Sequence, residues 1–299
     1  MEIRQLKYFV ATAESLNFSE AAKRNYVTQS TLSQQIKQLE NEMGVQLFER
    51  NNRSVFLTEA GKELLPFAID AIHAVDNCQQ RIMDLQHFLT GTLNIGVTYS
   101  FSPIVMESIF TFMERFPKVK LNVYHKSVEE LMEMLHCRKV DFVLSFKPSV
   151  INSEVESQVI FENHLSAIVN SNHPLASKDV VELSDLERYD LALPSHGFQS
   201  RSTFEELQAQ HKNKFRVRIE LNDANILLKI IKQSEMVTIL SESSIHNLDG
   251  FKAIPINCLN NKMEVCIHIL KDTYRKKSLT EFIEILNNSN AVMLRKQGW

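Results

Sequence analysis

Over the first ninety residues apolar side chains recur mostly on a helical period, interrupted by one β-rich stretch. Leu6, Phe9, Val10 and Ala13 share one face of a helix predicted over 3–15. Asn17-Phe18-Ser19 breaks that pattern, and Ser19 is expected to cap a short second helix running through Ala21-Ala22 to Asn25. Two adjacent alanines let helices approach closely. Asn25-Tyr26 then reads as a turn, Val27 as an apolar plug and Thr28 as the cap of a third helix. The apolar stripe of that helix is Leu32, Ile36, Leu39 and Met43. Its other face carries Gln29, Ser30, Thr31, Ser33, Gln34 and Lys37, and Gly44 is placed to end it. Short hydrogen-bonding side chains with one cation suit a helix lying in the DNA major groove, where Gln pairs with adenine and Ser or Thr meets bases or phosphates. The competing reading is a small helical subdomain whose third helix is merely solvated.

Val45–Arg50 and Val55–Leu57 flank the turn Asn51-Asn52-Arg53-Ser54, which predicts a hairpin with Arg50 at its base and Arg53 at its tip. Such a wing can touch phosphate or the minor groove. Thr58 and Glu59 open a long helix with no turn signal before Thr90-Gly91, and Pro66 is expected to kink it near its start. Leu64, Ala68, Ala71, Val75, Cys78, Ile82, Leu85 and Leu89 recur at alternating spacings of four and three, the heptad seam of a coiled coil. The run is long for a single globular helix, so a dimer seam is preferred over a core helix. The domains read as 1–58, a linker helix over 59–90, and 91–299.

Beyond residue 91 the pattern changes to short β runs alternating with helices, as in a parallel α/β sheet. Strands are expected at Leu93–Val97, Val119–Tyr124 and Asp141–Ser145, with helices at Pro103–Phe116 and Val128–Leu135. A second set runs from His164–Val169 through Leu191–Leu193, Phe215–Leu221 and Val237–Leu240. Val265–Leu270 and a helix over Leu279–Leu286 could return to the first sheet. Crossovers near Asn163 and Met263 would give two lobes, 91–163 plus 264–299 and 164–263, with a cleft between them. Ligands bind at strand C-termini in such sheets. The candidates there are Thr98, Ser100, Ser127, Lys147 and Ser195, with His196 and Asn222 beside them. Hydroxyls at helix N-termini suit a carboxylate or other small anion, though each could equally be a helix cap.

Composition excludes more than it adds. No apolar run reaches the roughly 18 residues of a membrane span, and the amino terminus enters a helix without a signal-peptide layout. A cytoplasmic location is therefore expected. Cys78, Cys137, Cys258 and Cys266 lack CxxC spacing, the ten histidines form no HxxxH pair, and seven glycines leave no room for a phosphate-cradling loop. No metal, cofactor or catalytic nucleophile is called for, and an enzyme is not expected. Net charge is −3. Residues 1–58 carry seven Lys/Arg against six Asp/Glu, a net of +1 that leaves −4 for the rest. The sign suits a DNA-binding head but decides nothing.

The spacing of particular residues says more. Arg4-Gln5-Leu6 with Tyr8-Phe9, Phe18, Ala21-Ala22, Val27–Ser33, Ile36, Leu39-Glu40, Gly44, Leu47–Arg50 and Leu57–Gly61 together resemble the head of the LysR-type transcriptional regulators. Ser30 stands where that family often has proline, and Gln34 where it often has arginine. The second half resembles the family's periplasmic-binding-protein-like effector domain more loosely, through Gly91–Leu93, Ile95-Gly96, Glu129–Leu131, His173–Ala176 and Leu183–Leu186. Ser234-Glu235-Met236 replaces the Gly-rich turn that the family often has before its strand near Val237.

The resemblance implies a winged helix-turn-helix, a dimerising linker helix and a two-lobed sensing domain. It implies double-stranded DNA, a small-molecule effector and a second copy of the chain (as homodimer or homotetramer) as partners, with RNA polymerase a further candidate. Members that sense peroxide use a cysteine pair in the second lobe, and no cysteine lies between Cys137 and Cys258 here. The rival readings are a two-lobed solute-binding protein and an enzyme using the cleft.

Overall fold

The computed structural model of the 299-residue chain describes residues 1–51, 54–85, 89–148, 152–210, 214–258, 261–271 and 273–296. The chain divides into two compact units, Met1–Phe88 and Leu89–Trp299.

The first unit opens with three helices, α1 (Ile3–Ser15), α2 (Phe18–Arg24) and α3 (Gln29–Met43). An antiparallel hairpin of β1 (Phe48–Asn51) and β2 (Ser54–Leu57) follows, and then α4 (Glu59–Leu85). Leu6, Phe9, Leu32, Ile36, Leu39 and Leu47 are buried to within 2% and form the core. The Phe48 ring packs on Phe9 and Phe18 at 5.5 and 5.6 Å, which pins the base of the hairpin to the helices. Helix α2 is capped by Asn17, not Ser19: the Asn17 side chain accepts from the Ser19 and Glu20 N–H groups. This earlier start brings Phe18 into the helix, where its ring is buried. Thr28 caps α3 by accepting from Thr31 N–H, and Gly44 closes it at φ +70°.

Helix α4 runs unbroken through Pro66. Its heptad positions divide into two groups. Ala68 is 1% exposed, and Leu64 and Ala71 pack beside it on the core of the same unit. Ala68 is thus taken up by contacts within the chain, while Leu64 and Ala71 pack on the same core and stay half-buried. Val75 is half-buried, whereas Cys78, Ile82 and Leu85 are exposed. Leu89 lies beyond the described residues of α4 and packs, half-buried, on the core of the second unit.

The second unit holds two sheets that share a strand. It opens with β3 (Gly91–Val97), α5 (Ser102–Arg115), β4 (Val119–His125), α6 (Val128–His136) and β5 (Phe142–Phe146). The 16-residue β6 (Val155–Asn170) follows, then α7 (Leu183–Leu186), β7 (Asp190–Pro194), α8 (Gln199–Gln210) and β8 (Arg216–Leu221). Next come α9 (Ala224–Lys232), β9 (Thr238–Ser241), β10 (Phe251–Pro255), β11 (Lys262–Leu270), α10 (Lys277–Asn287) and α11 (Asn290–Lys296). Strands β4, β3 and β5 pair in parallel, and β11 joins antiparallel between β5 and the first half of β6. The second half of β6 pairs with β10 and β9. A bridge from Val237 to Leu191 then leads to the parallel pair β7–β8. Strands β6 and β11 thus carry the chain between sheets, with Asn163 and Met263 facing each other in register.

Candidate functional site

Helix α3 presents Gln29, Ser30, Thr31, Gln34 and Lys37 to solvent, opposite the buried Leu32, Ile36 and Leu39. Ser33 is half-buried and Ser19 is exposed on the first turn of α2. The hydroxyls at the start of α3 already touch one another, since Thr28 Oγ1 lies 2.9 Å from Ser30 Oγ and 2.8 Å from Thr31 Oγ1. Ahead of them Tyr26 is 96% exposed and left-handed at φ 56°, so its ring projects from the turn between α2 and α3. Nothing in its sequence context marks Tyr26 as more than a turn residue. Arg50 pairs with Val55 on the hairpin; its side chain, like the whole of Arg53, lies outside the described residues.

What fixes the hairpin against α3 is a carboxylate. Glu40 is 3% exposed, and its Oε1 accepts from the backbone N–H groups of Leu47 (2.8 Å) and Phe48 (3.2 Å). Met43, expected on the buried stripe, is 40% exposed, and Glu40 takes the inward position four residues after Ile36. A polar residue at helical spacing from the core was the signal available for it. On the other side Thr58 N–H donates to Leu47 O, and the Thr58 hydroxyl donates to Gln46 O at 2.7 Å and accepts from Gly61 N–H at 3.0 Å. A Cβ on Gly61 would stand 2.2 Å from Leu47 O, so only glycine fits there.

In the second unit a cleft of about 310 Å³ lies between the two sheets. The first sheet contributes Thr98, Tyr99 and Ser100 after β3, Lys126–Val128 and Glu130 around the start of α6, and Phe146 at the end of β5. The second contributes His196–Gln199 after β7 and Asn222 after β8. Three of the expected residues, Thr98, Ser100 and Ser127, therefore meet. Ser127 is also a helix cap: its hydroxyl accepts from Glu130 N–H at 3.3 Å, and Glu130 reaches back to Ser127 N–H at 3.2 Å. Thr98 is different, because its buried hydroxyl has no hydrogen-bond partner.

Two expected residues are not in the lining. Lys147 pairs with Glu264 instead, because the antiparallel register that sets Val265 opposite Phe146 brings Glu264 alongside it. That partner, by hydrogen bond and charge, raises the Lys147 pKa. Ser195 spends its backbone N–H on Leu221 O at 2.8 Å, and its neighbours His196 and Phe198 line the cleft in its place. The Lys126 ammonium is held by Glu130 at 2.7 Å, which raises the Lys126 pKa and lowers that of Glu130. Across the cleft the rings of Tyr99 and Phe198 stack at 5.7 Å and 19°.

Among the described residues, no group of three or more His, Cys, Asp or Glu could hold a metal ion, and no helix is long and apolar enough to cross a membrane. The four cysteines are free thiols.

Residues 3–62 match the bacterial regulatory helix-turn-helix proteins of the lysR family, and residues 86–291 match the LysR substrate binding domain. The transcriptional dual regulator GltC of Bacillus subtilis is 32% identical over 245 residues, 82% of each chain. Among solved structures, a full-length OxyR variant from Pseudomonas aeruginosa superposes with a TM-score of 0.72 at 22% identity, covering 99% of this chain and 95% of that one. Full-length CbnR in complex with its target DNA gives 0.64 at 24% identity, covering 96% and 99%. At those identities the two structures speak for the fold alone. The chain belongs to the LysR family of bacterial transcriptional regulators, DNA-binding proteins with a helix-turn-helix head and an effector-binding domain.

Proposed function

We propose that this LysR-family regulator reads operator DNA with the outer face of α3, assisted by the wing, and that a small molecule in the cleft of the second unit sets its activity. The carrying observation is the two-sided character of α3, whose Gln29, Ser30, Thr31, Gln34 and Lys37 face out while Leu32, Ile36 and Leu39 are fully buried. Side chains on that outer face can be spent on base edges without loss to the core. Tyr26 joins this surface as a phosphate or sugar contact.

Self-association is part of the same reading, since two heads are needed to meet two half-sites about one DNA turn apart. Val75, Cys78, Ile82 and Leu85 keep the heptad spacing beyond the part of α4 that the head occupies, and Ile82 and Leu85 are 58% and 75% exposed. On α5, Met106, Phe110 and Met113 add a second exposed apolar stripe at helical spacing. The cleft is read as a binding site and not as a catalytic one, because Glu130, the one carboxylate among its described lining residues, is tied to Lys126 and Ser127.

Footprinting on the DNA upstream of the chain's own gene tests the reading. Gln29→Ala and Gln34→Ala should each lower the ratio of operator to random-DNA affinity by the roughly 1–3 kcal/mol of a lost base contact. An unchanged ratio in both variants refutes the assignment of α3.

A further inference from the structure

We propose that the cleft is built for a flat, singly charged acid, an aromatic or heteroaromatic monocarboxylate whose ring joins the stack of Tyr99 and Phe198. This rests on reading the cleft as the effector site, and it names the class of effector.

The charges come first. Lys126 and Glu130 are the only Lys, Arg, Asp or Glu among the described lining residues, and they neutralise each other at 2.7 Å. Glu130 is held further by the Ser127 N–H and hydroxyl, both at 3.2 Å. Arg201, on the first turn of α8, is engaged by Glu205 at 2.7 Å and Glu220 at 3.0 Å. His196 lies 3.6 Å from Glu205. No full positive charge is left over in the lining for a phosphate or dicarboxylate. What remains is partial charge: α6 and α8 both begin at the cleft, and apart from the Glu130 N–H that Ser127 caps and the Arg201 N–H that Phe198 O accepts, their first-turn N–H groups lack partners within the helix. With the Glu130 charge at the α6 end offset by Lys126, two helix ends of about half a charge each match one carboxylate and undercompensate two.

Thr98 supplies the second observation. It is 8% exposed, it lines the cleft, and its hydroxyl has no partner. Nor does it cap the turn that follows it. A buried hydroxyl left unsatisfied costs stability, and a ligand oxygen placed against it removes that cost.

The rings select the body of the ligand. Tyr99 comes from the first sheet's side and Phe198 from the second's, yet their planes lie within 19° of each other. The edge of His125 packs against Tyr99 at 5.7 Å and 76°, and the Tyr99 hydroxyl donates to His125 O at 3.4 Å, so the ring is held in orientation. Phe146 and Val128 complete an apolar wall. A third flat ring extends the near-parallel pair at ordinary stacking separations, whereas a puckered ring of the same size meets it through few atoms. The cavity, at about 310 Å³, is at the small end for ligand sites, which fits a single ring with a carboxylate.

Calorimetric titration of the full chain tests this with benzoate, cyclohexanecarboxylate, benzamide, phthalate and inorganic phosphate. Benzoate should bind at least tenfold more tightly than each of the others. Cyclohexanecarboxylate reports flatness, benzamide charge, and phthalate and phosphate the limit of one charge. Tyr99→Leu and Phe198→Leu should each erase the preference for benzoate over cyclohexanecarboxylate, and Thr98→Val should weaken benzoate severalfold. Circular dichroism shows whether each variant is folded, and the probe comparison on the unmodified chain stands whatever the variants do. Equal binding of the puckered acid, tighter binding of phthalate or phosphate, or no binding of benzoate overturns the proposal while leaving a cleft for other effectors. Benzoate binding that all three substitutions leave untouched places the ligand elsewhere and overturns the reading of the cleft itself.

Discussion

Glu40 offers the sharpest test of how the head is held together. Its single oxygen Oε1 accepts from two backbone donors, Leu47 N–H at 2.8 Å and Phe48 N–H at 3.2 Å, and the residue is 3% exposed. Glu40→Ala removes both acceptors and leaves two N–H groups facing a space that water enters only by disturbing the core. Hydrogen bonds to charged groups contribute about 1.5–3 kcal/mol each, so the loss should be about 3–6 kcal/mol. Against the roughly 5–15 kcal/mol of an ordinary domain, that is a large share. Glu40→Gln keeps an oxygen in place and should lose about 1–2 kcal/mol, chiefly the charge assistance.

Native-state hydrogen exchange on the full chain reads the effect where it arises. The amides of Leu47 and Phe48 should lose protection by about two to four decades in Glu40→Ala, at about 1.4 kcal/mol per decade. Amides of β3 and β11, in the other unit, should keep theirs. Operator affinity should fall with the wing, because the hairpin then no longer holds its position against α3. If Leu47 and Phe48 exchange as slowly in Glu40→Ala as in the parent chain, the carboxylate does not hold the wing and the argument fails.

Three further outcomes follow from particular contacts. Gly61→Ala should destabilise the head by about 1–3 kcal/mol, since its Cβ would meet Leu47 O at 2.2 Å and Leu57 Cδ2 at 2.8 Å; an unchanged melting curve would mean that hairpin and helix shift apart freely. Ile82→Glu or Leu85→Glu should shift the assembly toward smaller species in light scattering and weaken operator binding, because a carboxylate in an apolar seam costs several kcal/mol; dimers that survive both changes would remove α4 from the interface. Burial lowers the His268 pKa from 6.5 to about 4, so between those pH values the unfolded chain binds a proton that the folded chain refuses. That stability is complete above pH 6.5 and is lost on acidification toward pH 4, by up to about 3 kcal/mol. In denaturant titrations across this window His268→Gln should flatten the slope, and an unaltered slope would show that the imidazole is not held neutral.

How far each feature could be read from sequence depends on where its partners lie. Thr28, Thr58 and Ser127 were legible as caps because each accepts from an N–H three residues on, within the same stretch of chain. Ser19 reads locally as the cap of α2, but the structure gives that place to Asn17 two residues earlier. The choice falls to the Phe18 ring, which must reach Phe48, thirty positions away. The heptad reading of α4 meets a related limit at Ala68. Periodicity reports that one face of α4 is apolar but not which surface covers it, and at Ala68 it is the head of the same chain, on which Leu64 and Ala71 also pack. Lys147 shows the extreme case. After a strand end it reads as a cation at the rim of a cleft, but its partner Glu264 is 117 positions away and is delivered by an antiparallel strand. The stack of Tyr99 on Phe198 was hidden in the same way, since neither residue has a neighbour in sequence that marks it. The cleft was therefore legible in its hydroxyls, which belong to the ends of strands, and illegible in its charge and its rings, which two sheets supply together. The proposed class of effector rests on that charge and those rings, which is why it could be argued only once the two sheets were placed, whereas the cleft itself could be expected from strand ends alone.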